Sequence, residues 1–196
     1  MLEERWKAVT TAGKTLVSQF FGSFSFCVSK SEKDVHKLLD IIVDNFESYR
    51  DMCLYRGRTV SFLKRAQILV SDIWTCLDGK GLGQFHNIDQ LTMFADYRVP
   101  QALVALNVLT YNDELKAVLK GRESVDQGSE IECEIRGMSI VACDMICEMV
   151  TELGRERGVE VAVSPPVVDY CIWLWARKNR DLIEELPFHR TRTIYY

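Results

Sequence analysis

Three segments of the chain set charged or polar side chains among aromatic and apolar neighbours. Ser61 to Val70 carries Lys64 and Arg65, Thr92 to Gln101 carries Asp96 and Arg98, and Phe188 to Tyr196 alternates basic and aromatic residues. The second segment is the most informative, because Asp96 lies between Phe94 and Tyr97, with Arg98 and Pro100 just after it. A carboxylate in a mostly apolar pocket, with a cation close by, suits the stabilisation of a developing positive charge. A sugar passing through an oxocarbenium-like state develops such a charge. The flanking aromatic rings suit stacking on a flat heterocycle. The same pattern also describes a helix N-cap with a surface ion pair, and both readings stand at this point. Lys64 and Arg65 read either as snorkelling side chains or as groups that reach a pocket. The basic-aromatic C-terminus reads as a docked tail, or as a short nucleic-acid patch.

Other chemistries find less support. His36, His86 and His189 are scattered, and none pairs with another His or Cys at metal-ligand spacing, so no metal site is expected. Gly79, Gly81 and Gly83 mark a flexible loop; no β-run precedes them as a dinucleotide fingerprint requires. Neither a nucleophile elbow nor a P-loop occurs. Cys143 and Cys147 share a helical face and read as core, and Asp144 and Glu148 read as a polar edge. The cysteine count is seven, odd and without a Cys-x-x-Cys. Most lie in apolar periodic stretches, as Cys76, Cys143, Cys147 and Cys171 do, which reads as buried reduced thiols without a disulfide framework.

The elements that must position these groups are mainly helical. Residues 31–48 begin with Ser31 and Asp34 spaced as a capping box and continue with Val35, Leu38, Leu39, Ile42, Val43 and Phe46 as one stripe. Residues 1–21 carry a second stripe through Leu2, Trp6, Val9, Leu16, Val17 and Phe20. Gly57 marks a turn. Ser61 reads as the cap of a central helix running to about Leu77, with Leu63, Ala66, Val70, Ile73, Trp74 and Leu77 on one face. A short helix is expected over 89–94. Pro100 suits the first turn of another helix through Leu103, Leu106 and Leu109, which puts Asp96 and Arg98 at the junction. Residues 121–130 read as a polar surface loop. Two further helices span 130 to about 153 and 167 to about 180, the latter started by Pro165-Pro166. Gly137 and Gly154 read as breaks or close-packing points. No repeat or linker interrupts 1–196, which reads as one domain.

With 196 residues, 47% of them apolar, the chain can bury a core. A net charge of −4 argues against a dedicated nucleic-acid surface. No apolar run is long enough to span a bilayer and no signal sequence opens the chain, so a soluble, cytoplasmic protein is expected.

Four motifs together resemble one family. FLKRAQILV at 62–70, TMFADYRVPQ at 92–101, EIRG at 134–137 and PFHRTRTIYY at 187–196 are similar, in this order and with similar separations, to the queuosine salvage proteins. The likeness extends over essentially the whole chain. It implies a mainly α fold similar to the helix-hairpin-helix DNA glycosylases. It also implies hydrolysis of the N-glycosidic bond of queuosine 5′-phosphate, releasing queuine for reuse in tRNA modification. Asp96 matches the family's catalytic Asp. Phe94, Tyr97, Arg98 and Gln101 match the segment around it and are the expected substrate contacts, with Lys64 expected near the ribose or phosphate. No metal or organic cofactor is implied, and the partner is a small molecule rather than a stable nucleic acid or a membrane; the oligomeric state is left open. The likeness also makes this the C-terminal part of longer members. They carry a further N-terminal region with an Asn-Phe-Ser-Phe-Trp motif that Phe24-Ser25-Phe26 does not replace, and Leu174 stands where many members have Asp. Weak or no activity is therefore expected of the isolated chain, and the alternative is a catalytically weak or inactive domain that binds queuine or a protein partner.

Overall fold

The computed structural model describes residues 1–196. It is mainly helical, with one small antiparallel hairpin. The chain divides into two compact units. The first comprises Met1–Asp51, Leu63–Leu91 and Ile194–Tyr196, and the second comprises Met52–Phe62 and Thr92–Thr193.

In the first unit, α1 (Leu2–Gln19), α2 (Phe24–Lys30), α3 (Val35–Asn45) and α4 (Lys64–Cys76) surround a core that includes Cys27, Leu38, Ile42, Phe46, Ala66, Val70 and Leu91. The α3 stripe packs inward as expected, but its cap is Asp34 alone. The Asp34 carboxylate accepts the N–H groups of His36 and Lys37, while Ser31 ends α2 and bonds back to the Val28 carbonyl. The expected stripe of α1 behaves differently: Leu16 and Phe20 turn inward, whereas Leu2, Trp6, Val9 and Val17 face solvent. The small side chains of Ala8 and Ala12 take the inner side. Ser61 does not cap α4, which starts later, after Leu63 adopts a left-handed φ of 50°. The cap comes from a distance, since buried Asp51 accepts the Lys64 N–H through Oδ2 (3.1 Å). On α4 the inner face is Ala66, Gln67 and Val70, while Trp74 and Leu77 are exposed at its far end. Gly83 closes against that end, and a Cβ there would lie 2.7 Å from Leu77 Cβ. Residues 89–94 form no α-helix; a 3-10 turn over Ile88–Gln90 gives way to extended chain.

In the second unit, β1 (Met52–Tyr55) and β2 (Arg58–Ser61) pair across Arg56-Gly57, both with positive φ, the geometry of a tight hairpin turn. The turn at Gly57 was expected from sequence; the strands were not. Then come α5 (Arg98–Ala105), α6 (Asp113–Lys120), α7 (Glu130–Glu156), α8 (Pro165–Lys178) and α9 (Arg180–Glu184). Pro165 begins α8, as its missing N–H favours. Helix α5 ends at Ala105, short of Leu109. Gly154 is a close-packing point, 2.8 Å from Val161 by an added Cβ, whereas Gly137 faces open space and does not break α7. The core gathers Phe62, Met93, Ala95, Leu103, Cys143, Val168 and Ile172. Within the 121–130 loop, Val125 is buried.

Candidate active site

The residues from Thr92 to Asp96 form neither helix nor strand, and the chain bends at Tyr97, already in right-handed helical conformation, into α5. Burial alternates along them: Met93 and Ala95 are fully buried, while Phe94 and Asp96 stand half-buried. A segment without a strand partner must satisfy its backbone elsewhere, and two helices supply the groups. Asp169 of α8 accepts the Phe94 N–H through Oδ2 (2.9 Å), and Arg136 of α7 donates from Nε to the Ala95 carbonyl (2.9 Å). Arg136 is in turn held by Glu132 one helical turn away (2.9 Å), both side chains 1% exposed, with its guanidinium 4.0 Å from the centre of the Phe62 ring. The second Glu132 oxygen accepts the Gly128 N–H. The segment carrying the candidate carboxylate is thus pinned on both sides of Ala95.

Asp96 closes the first turn of α5. Its Oδ1 accepts the N–H groups of Arg98 (2.8 Å) and Val99 (3.0 Å), two of the donors that a helix start leaves unpaired. These two bonds bear out the capping half of the sequence reading, and capping does not compete with a chemical role. Both bonds fall on Oδ1, so the capping fixes the carboxylate's orientation and leaves Oδ2 for other work.

Beside it, the Tyr97 and Phe188 rings stack with centroids 5.3 Å apart and planes 29° from parallel. The Arg98 guanidinium lies 5.2 Å from both ring centres, and that of Arg190 lies 5.3 Å from Phe188. These groups, with Arg122 and Arg192, line a groove of about 500 Å³. Four arginines line it, a set of donors suited to a phosphate or carboxylate. The tail that supplies Phe188 is docked: Val125 donates its N–H to the Arg190 carbonyl, and Thr193 bonds to Gln127. His189 is 1% exposed, and burial, aided by the Arg136 charge, pushes its imidazole down to about 4.

A family model described as queuosine salvage protein matches residues 1–196. The chain belongs to the queuosine salvage protein family. Proteins named queuosine 5′-phosphate N-glycosylase/hydrolase are similar to it: one from Mus musculus is 47% identical over 200 residues, and one from Bos taurus is 44% identical over 198. A bacterial relative from Sphaerobacter thermophilus with the same name is 38% identical over 196 residues. In all three the match covers the whole chain and 58% of the relative's own length.

In this member of the queuosine salvage family, the second unit brings Asp96, Tyr97 and Arg98 together, with Phe94 contributing a backbone N–H. Gln101 is gathered there too, but in another capacity. It is 1% exposed, its Nε2 donates to the carbonyls of Ile183 and Leu186, and its Oε1 accepts from Arg98 Nη1. It fixes the Arg98 side chain and the turn before Phe188, and offers a ligand almost no surface. Lys64 belongs to the first unit, at the start of α4. Its neighbour Arg65 donates to the carbonyls of Ser48 and Ile194 and lies over the Tyr49 ring, so it holds backbone together. Sequence reasoning did not give roles to Asp169, Arg136, Glu132, Arg122 or Phe188. A signal existed for two of them: Asp169 interrupts an apolar helix, and Arg136 sits in the 134–137 motif. Cys143 is buried as expected, Cys147 half-buried, and Cys76 and Cys171 are exposed against expectation. No helix is long and apolar enough to cross a membrane.

Proposed function

We propose that this chain hydrolyses the N-glycosidic bond of queuosine 5′-phosphate, and that Asp96 is its catalytic carboxylate. The observation that carries the reading is a carboxylate anchored through one oxygen by two backbone N–H groups, directly before Tyr97 and Arg98, which line a groove together with Phe188 and three further arginines. A carboxylate held in this way needs little reorganisation when charge develops next to it. The family membership and the names of the relatives point the same way.

In the reaction, the bond between the anomeric carbon and the base nitrogen breaks, hydroxide from water joins the carbon, and the remaining proton goes to the base. The five-membered ring of the base is a poor leaving group, so the sugar becomes cationic before the water bond is complete. Asp96 Oδ2 faces that carbon, stabilises the cation and orients the water. Phe94 and Tyr97 border the base, and the arginine groove holds the 5′-phosphate. Gln101 acts by positioning Arg98. The substrate is a small molecule met in the cytoplasm, and the freed base is queuine, available for tRNA modification.

The test is single-turnover release of base from queuosine 5′-phosphate by the purified chain. Asn caps a helix about as well as Asp, so Asp96→Asn should keep the fold and lower the rate by about 10²-fold or more. A rate within a factor of about two of the unsubstituted chain would end the assignment of Asp96.

A further inference from the structure

Cys53 in β1 and Cys133 in α7 are 80 residues apart in sequence, yet their Sγ atoms are 3.1 Å apart. This is the one hydrogen bond between thiols in the protein. We propose that Cys53 and Cys133 form a redox-modification site, at which a hydroperoxide converts the two thiols into a disulfide linking the hairpin to the first turns of α7. The surroundings already hold the two backbones in place. Tyr55 donates to Glu134 (2.8 Å), Arg56 pairs with Glu130 and Glu134, and a Cβ on Gly128 would lie 3.2 Å from Cys53 Cβ. Reaching an S–S bond length of about 2.05 Å asks for roughly 1 Å of closure.

The two thiols differ in access, which sets the order of events. Cys53 is half-exposed and meets the oxidant; Cys133 is 5% exposed. The Cys53 thiolate attacks the peroxide oxygen, the O–O bond breaks, and Cys53 becomes a sulfenic acid while the alcohol fragment departs with a proton. Cys133 sulfur then displaces the hydroxyl group, which leaves as water with the Cys133 proton, and the S–S bond forms. Two thiols and one hydroperoxide thus yield a disulfide, an alcohol and water. Burial, and the neighbouring Cys53, push the Cys133 thiol up to about 12. Its proton leaves with the displaced hydroxyl group as the S–S bond forms. The link would lie next to Glu132 and one turn from Arg136, whose Nε holds the Ala95 carbonyl. Oxidation accordingly bears on the scaffold of the 92–98 segment, although the proposal stands whether or not Asp96 is catalytic.

The experiment uses the 196-residue chain with the exposed thiols removed, Cys76→Ser with Cys171→Ser, so that links between molecules do not interfere. The protein is titrated with hydrogen peroxide, unfolded in an alkylating reagent, digested and analysed by mass spectrometry. The expected result is a joined peptide pair containing residues 53 and 133, lighter by two hydrogens, that separates on reduction. Adding Cys53→Ser, a change at the accessible partner, should abolish it and leave Cys133 fully alkylated after unfolding. Recovery of Cys53 as sulfinic or sulfonic acid with Cys133 still a thiol would overturn the proposal, as would two unmodified thiols at every dose.

Discussion

Helices α1 and α5 both carry apolar residues and meet opposite outcomes. Helix α1 is 18 residues long and fully buries none of them, while α5 has eight residues and buries Val99, Pro100, Gln101, Ala102 and Leu103. Trp6 is 70% exposed and Val9 73%, although both lie on the stripe that periodicity marks as a core face. Hydrophobic spacing states that a helix has one face to cover, and neighbours decide whether it is covered. In α5 the neighbours are α7, α8 and α9. The polar anchors come from them as well: Arg136 from α7, Asp169 from α8, and the carbonyls of Ile183 and Leu186 around α9.

If the second unit owes its order to those anchors, Arg136→Met should have the largest effect. It takes the cation away from Glu132 in a dry site and removes the donor to the Ala95 carbonyl, at a cost of about 3–5 kcal/mol in urea unfolding. A cost below about 1 kcal/mol would show that the Arg136 anchor does not set the 92–98 segment. A pH titration comes next. His189 has an imidazole depressed from its ordinary 6.5 to about 4 in the fold, so between these values the unfolded chain binds more protons than the native one. Stability is therefore full above pH 6.5 and falls as the pH drops through that window, by on the order of 3 kcal/mol. His189→Asn, if folded, should flatten the curve. Asp96→Ala removes the cap of α5 and should cost about 1 kcal/mol, against a few tenths for Asp96→Asn. The smallest effect belongs to α1: Trp6→Ser should shift unfolding by no more than about 0.5 kcal/mol. A larger loss would mean that its stripe is covered in solution and would remove the contrast between the two helices.

Much of the candidate site was legible because its signals are local. An Asp two residues before an Arg and four before a Pro is both a cap and a candidate for chemistry, and the structure makes Asp96 a cap with one oxygen to spare. Helices α3, α7 and α8 follow from periodicity, and the start of α8 from its prolines. The hairpin was missed because each strand has four residues, too few for an alternation to register. The cap of α4 was misread because its acceptor, Asp51, stands 13 positions before the donor.

The sequence by itself determined the helices α3, α7 and α8, where Asp96 sits relative to α5, and the family to which the chain belongs. Those depend on hydrogen bonds and side-chain spacings that span a few residues, or on the order of motifs along the chain. Only the tertiary structure decided which groups hold the site: Arg136 on Ala95 across 41 positions, Asp169 on Phe94 across 75, and Gln101 on Ile183 across 82. It also decided that Cys53 meets Cys133, and that most of the α1 stripe meets solvent. Such pairings follow from how whole elements pack, and no local pattern of residues encodes the partner of a group so far along the chain.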